Sequence, residues 1–134
     1  MAISQVNPKA PAQQSKYDKL IAAAKEVPAA KTILVHPCDE TSLRGGVEAA
    51  QLGIVDLILV GPAAKISAVA KQSGLDISRC ELIDAEHSDD AAGKAVEMIH
   101  AGKGELLMKG SLHTDELMSA VVARDTGLRT ARRI

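Results

Sequence analysis

The sequence predicts an α/β fold, a three-layer αβα arrangement with a mainly parallel sheet that this chain carries incompletely. Three observations lead there. Short runs that are apolar throughout, such as residues 32–35 and 54–60, alternate with segments whose apolar residues recur every three or four positions. A strand that is apolar on both faces belongs in a parallel sheet covered by helices on two sides. The strand-to-strand connections are about two dozen residues long, enough for a helical crossover.

Each element has its own local reason. Residues 1–14 hold Pro8, Pro11, Gln13 and Gln14 with little periodicity, and read as a flexible lead-in to one domain over 15–134. Ser15 is placed to cap a helix over 16–26, with Tyr17, Leu20, Ile21 and Ala24 on its apolar face and Pro28 to stop it. Residues 32–35 are a β-branched strand. A helix over 40–52 follows, with Leu43, Val47, Ala50 and Gln51 at helical spacing and Gly53 at its end. Residues 54–60 form the second strand. Gly61-Pro62 turns the chain, and Pro62 suits a first helical turn. The next helix spans 63–73 on Ile66, Val69 and Ala70, closed by Gly74. A third strand covers 80–83. Ser88 or Asp89 caps a helix through 101, with Ala92, Val96 and Ile99 inward and Gly102 at its end. A fourth strand covers 105–108, and Thr114 caps a last helix through 124. After a turn at Thr126-Gly127 the chain is basic up to Ile134, which looks like the entry to a further strand.

Composition narrows the function classes. The chain has 134 residues, 46% hydrophobic and 25% charged, with a net charge of −1. Those values suit one globular domain and give no electrostatic footprint for nucleic acid or an anionic membrane. Tyr17 is the one aromatic residue, so stacking on bases is excluded and the core must be aliphatic. No apolar run approaches the roughly 20 residues of a membrane span. The two cysteines, Cys38 and Cys80, read as reduced thiols of a cytoplasmic protein.

In parallel α/β sheets, ligands bind outside the carboxyl ends of the strands. The loops of interest are therefore 36–40, 61–63, 84–89 and 109–114. In the first, His36-Pro37-Cys38-Asp39-Glu40 falls short of a zinc ligand set and reads as a polar loop in which Asp39 or Thr41 caps the next helix. No metal is expected. Arg44 lies near the start of that helix, where a cation opposes the macrodipole, so it either faces a bound phosphate or is a solvated surface arginine. The fourth loop, Met108-Lys109-Gly110-Ser111-Leu112-His113-Thr114, runs directly from strand to helix. Gly110 allows a tight turn, Ser111 and Thr114 offer hydroxyls, Lys109 a charge, and the helix start its amides. It is not a P-loop, because Lys109 precedes Gly110, and no GxGxxG follows the first strand. His113 suits a capping or surface histidine as well as a base. Asp89 and Asp90 complement a helix start. Arg124, Arg129, Arg132 and Arg133 suit a solvated or interdomain face, and Met98, Met108 and Met118 read as core filler.

The stretches Arg44-Gly-Gly-Val-Glu-Ala-Ala, Asp56-Leu-Ile-Leu-Val-Gly-Pro, Leu107-Met-Lys-Gly-Ser-Leu-His-Thr and Gly127-Leu-Arg-Thr resemble the phosphate acetyltransferase and phosphate butyryltransferase family. The likeness is nearest the butyryltransferase-like branch, which includes domains fused to enoyl-CoA hydratase. The resemblance covers residues 16–134 and implies the N-terminal α/β part of a longer protein with an isocitrate/isopropylmalate dehydrogenase-like fold. It implies exchange of an acyl group between coenzyme A and inorganic phosphate, with coenzyme A as substrate and no permanently bound cofactor. By position, Arg44 matches the family's arginine for coenzyme A phosphate, and Lys109, Gly110, Ser111, His113 and Thr114 match the loop for phosphate or acyl phosphate. The family's proposed base falls beyond residue 134. An arginine of the acetyltransferase branch is replaced here in the neighbourhood of Leu117, Met118 and Ser119. The resemblance also implies a homo-oligomer. On the residues alone, a non-catalytic α/β module that binds a phosphorylated ligand stays open beside the acyltransferase.

Overall fold

The structure, a computed structural model, describes residues 15–131. The expected lead-in 1–14, Arg132, Arg133 and the strand entry at Ile134 lie outside the described residues. Nine elements alternate: α1 (Lys16–Lys25), β1 (Ala30–Val35), α2 (Glu40–Gln51), β2 (Val55–Gly61), α3 (Ala63–Gln72), β3 (Glu81–Asp84), α4 (Ser88–His100), β4 (Leu106–Lys109) and α5 (Thr114–Val122). The four strands form one parallel sheet in the order β3-β2-β1-β4.

The alternation of side chains along a strand divides the core in two. Ile33 and Val35 of β1, with Ile58 and Val60 of β2, face Ala92, Ala95 and Met98 of α4 and Leu117 of α5. Leu34, Leu57 and Leu59 face the other way, onto Leu43 and Val47 of α2 and Ile66 and Ala70 of α3. Two helices on each face of the sheet make the three layers. Burial on both sides explains why β1 and β2 read as unbroken apolar runs. Gly46 lets α2 come close, since a Cβ there would sit 2.7 Å from Leu34 Cδ2.

Several boundaries differ from the sequence expectation for physical reasons. β1 starts two residues early because Ala30 lies in register with Val55 and its N–H donates to Ile54 O. His87, not Ser88 or Asp89, caps α4, its ring accepting from Asp90 N–H. His113 precedes α5 at the cap position and Thr114 is the first helical residue. α5 stops at Val122, because Ala123 leaves the helical region and Leu128 N–H bonds back to Val121 O. Met98 and Met108 do join the two cores, but Met118 is exposed. α1 forms with the expected Ser15 cap, yet none of its residues is buried, and Tyr17 and Leu20 are 65% and 67% exposed. The edge strand β4 leaves Leu106 51% exposed.

The order fixes where a ligand could lie. From β1 the chain passes by α2 to β2, on one side. From β3 it crosses by α4 to β4, on the other side of β1. The loops after β1 and β4 thus part toward opposite faces, and the crevice between them is the switch point of the sheet.

Candidate functional site

At the switch point the two loops are bonded to each other, although they are some 75 positions apart in sequence. Gly110 N–H donates to Val35 O at 2.8 Å, and Ser111 N–H to His36 O at 2.8 Å. The Ser111 hydroxyl lies 2.8 Å from His36 O, 3.1 Å from His36 Nδ1 and 3.1 Å from the amide nitrogen of Cys38. His36 is the non-glycine residue with a positive φ, 55°, among the described residues. That left-handed turn, followed by a tight bend in which Cys38 N–H reaches His36 O at 2.9 Å, brings the loop back toward Ser111.

Gly110 is required by close approach. A Cβ on it would sit 2.2 Å from Val35 O and 2.6 Å from His36 O. The strand end of β4 and the strand end of β1 touch backbone to backbone there, and no side chain fits between them.

Charge around the crevice comes from both faces. Lys65, in the first turn of α3, acts electrostatically on both His36 and Cys38. Burial lowers the pKa of His36 below its ordinary value, and the Lys65 ammonium lowers it further, while Glu116 of α5 opposes them. Burial raises the pKa of the Cys38 thiol, so Cys38 favours the neutral form. Asp39 caps α2, accepting from the Ser42 N–H and hydroxyl, and those bonds hold its carboxyl below the ordinary range. Among the described residues, no group of three or more His, Cys, Asp and Glu side chains could hold a metal ion.

Of the residues expected at the site, the fold brings the 109–114 loop to the crevice but engages part of its donor set. The amides of Gly110 and Ser111 and the Ser111 hydroxyl bond to the end of β1. His113 N–H is held by the Glu116 carboxylate at 3.1 Å. Lys109 Nζ lies 3.4 Å from Gly110 O, and the side chains of Lys109 and Thr114 are exposed. Arg44 is not joined to this loop. Its guanidinium donates to Glu40 at 2.7 Å and to Ser73 O, at the end of α3, at 3.2 Å. Lys65 was not singled out by the sequence reading, and His36 entered it only in a loop that falls short of a zinc ligand set. For Lys65 a signal existed, the same that marked Arg44: a cation near a helix start, against the dipole. A cavity of about 400 Å³ opens at the opposite end of the sheet between Val47, Val55, Asp56, Asp76, Arg79 and Cys80, and holds none of the expected site residues.

A parallel sheet covered on both faces, with its loop cluster at a switch point, defines the class as an α/β ligand-binding fold. Sequence comparison narrows it. The chain is 61% identical over 124 residues to a phosphate acetyltransferase of Rhizobium meliloti, covering 92% of this chain and 39% of that protein. It is 34% identical over 116 residues to a phosphate butyryltransferase of Clostridium beijerinckii, covering 87% of this chain and 38% of that protein. The chain is thus homologous to phosphate acetyltransferases and phosphate butyryltransferases, and spans about two fifths of the length of the curated relatives it matches. No family model matches it. In three dimensions it resembles the EutD phosphotransacetylase from Staphylococcus aureus, with a TM-score of 0.60 at 20% identity over 72% of this chain and 38% of that one. That likeness supports the α/β fold. No helix among the described residues is long and apolar enough to cross a membrane.

Proposed function

We propose that the chain supplies one wall of the active site of a phosphate acyltransferase, which exchanges an acetyl or butyryl group between coenzyme A and inorganic phosphate to give acyl phosphate. The observation that carries this reading is the 61% identity to a phosphate acetyltransferase across nearly the whole chain. In this reading the crevice between β1 and β4 takes the phosphate or acyl phosphate. Lys109, Thr114 and the His113 ring supply contacts, and Gly110 and Ser111 set the shape of the loop. Arg44 meets the phosphate end of coenzyme A with the guanidinium nitrogens not engaged by Glu40 and Ser73.

The chemistry needs thiol and phosphate to meet at one acyl carbon. Binding both in one cleft supplies proximity. Amides and cations stabilise the tetrahedral oxyanion. A base raises the thiolate fraction of coenzyme A. That base is expected outside this chain, and coenzyme A enters as substrate, with no permanent cofactor. The working protein is placed in the cytoplasm as a homo-oligomer, without nucleic-acid or membrane partners.

The test is to purify the chain, titrate it with coenzyme A and acetyl phosphate, and follow phosphate-dependent thiol release from acetyl-CoA and butyryl-CoA. Saturable binding of both ligands without turnover is expected. Arg44→Ala should weaken coenzyme A and leave acetyl phosphate unchanged, with a stability loss below about 1 kcal/mol because its ion pair is exposed. Turnover near about 10 per second would place the whole catalytic set in this chain. Failure of either ligand to bind contradicts the proposal.

A further inference from the structure

The proton count at Ser111 determines the state of His36. A hydroxyl has one proton to give and two lone pairs to accept with. Ser111 Oγ stands 2.8 Å from the His36 carbonyl oxygen, and two oxygens at that distance need a proton between them. The proton lies on Ser111, since a carbonyl has none. One lone pair then accepts from Cys38 N–H at 3.1 Å, and the other is left for His36 Nδ1 at 3.1 Å. Cys38 N–H is shared with His36 O at 2.9 Å, and with the hydroxyl proton assigned to that carbonyl, Nδ1 is the donor to Ser111 Oγ. Neutral His36 is therefore the Nδ1–H tautomer, with a bare lone pair on Nε2. Among the described residues Nε2 makes no hydrogen bond.

We infer that His36 is a specificity-determining residue of the crevice, a hydrogen-bond acceptor held in one tautomer by Ser111 that selects a protonated tetrahedral anion, hydrogen phosphate, over sulfate. This rests on the proposed phosphate site between β1 and β4. The two dianions share charge and shape, and differ in that hydrogen phosphate carries a P–OH proton near neutral pH. Cations alone, such as Lys65 and Lys109, cannot tell them apart. A bare imidazole nitrogen can, because it accepts from P–OH and repels a proton-free oxygen. The groups acting on the ring are consistent with it: burial and then Lys65 from α3 favour its neutral form, Glu116 from α5 opposes, and burial favours the neutral Cys38 thiol of its own loop. Ser111 is a positioning residue here, acting through His36.

The experiment uses the full chain labelled with ¹⁵N. At about pH 8, above the usual histidine range, the ring spectrum should place the His36 proton on Nδ1, and Ser111→Ala should lose that preference. Phosphate should bind about tenfold or more tighter than sulfate, the scale of one hydrogen bond to a charged group. His36→Asn, chosen because Asn tolerates a left-handed backbone, should weaken phosphate and tighten sulfate, bringing the two affinities together. A proton on Nε2, equal affinities in the unmodified chain, or an equal loss for both anions in His36→Asn would overturn the inference. No phosphate binding at all, with the proton on Nδ1, would instead overturn the phosphate site and leave the tautomer lock standing.

Discussion

Two pairs of loops lie at the same end of the same sheet and are closed differently. Between β2 and β3 the join is a carboxylate. Asp84 Oδ1 accepts from Ala63 N–H, the first residue of α3, at 2.9 Å, and Lys94 Nζ bonds to Asp84 O. The start of α3 is thus filled by the chain's own negative charge. Between β1 and β4 the join is a neutral hydroxyl and an imidazole, with Lys65 acting on both His36 and Cys38. A carboxylate at a helix start satisfies the dipole and repels an incoming anion. A hydroxyl joins the β1 and β4 loops without a carboxylate between them, although Asp39 and Glu116 cap the starts of α2 and α5 on either side. The two βα junctions thus differ in the side chains that join their loops, and the proposed phosphate site lies at the one joined without a carboxylate.

Substitutions at the two junctions can break this contrast. The largest effect is expected at the glycines that end β4 and β2. Gly110→Ala drives a Cβ to 2.2 Å from a backbone oxygen and should cost about 3 kcal/mol or more. Gly61→Ala meets Ile66 Cδ1 at 3.0 Å and His36 Cα at 3.3 Å, and should cost about 1 kcal/mol because the isoleucine can shift. Denaturant melts of the two variants check the order. Next come the joining side chains. Ser111→Ala removes a partner of the His36 ring, while Cys38 N–H keeps His36 O, and should cost about 1 kcal/mol, the scale of one exposed hydrogen bond. Asp84→Ala removes a helix-start acceptor and should cost about 1 kcal/mol or less. Phosphate affinity should fall in the first and hold or rise in the second.

The smallest effect is on pH dependence. His36 has its folded pKa held below 6.5, so the folded state resists protonating it. Its contribution to stability is complete above the unfolded value and is lost as pH falls through that value toward the folded one. Melting temperature should therefore decline as pH drops below about 6.5, and His36→Asn should flatten that decline.

The two junctions were not equally legible in the sequence. β1 and β2 could be read because burial on both faces leaves an apolar run, and the loop from Lys109 to Thr114 could be read because a strand meets a helix there across a glycine. Which loops face each other could not. Alternation of strands and helices leaves open whether β4 lies beside β1 or beyond β3, and the Ser111–His36 contact exists because β4 crossed back. Ser111 therefore read as a donor for an anion, whereas its hydroxyl closes the junction. His36 read only as a metal-ligand candidate, because a left-handed backbone leaves no mark in composition or periodicity. α1 taught the converse: its capping box and apolar spacing are real, yet Tyr17 and Leu20 meet no core, since local pattern specifies a helix and not its partner.

The proposed phosphate site lies at the β1–β4 junction and not at the β2–β3 junction. Titration of the ¹⁵N-labelled chain with phosphate, read at every amide, tests it most directly. Saturable shifts should appear in residues 36–39 and 109–114 and in Lys65, with residues 84–87 unmoved. Shifts centred on 84–87, or spread evenly over both loop pairs, would contradict it.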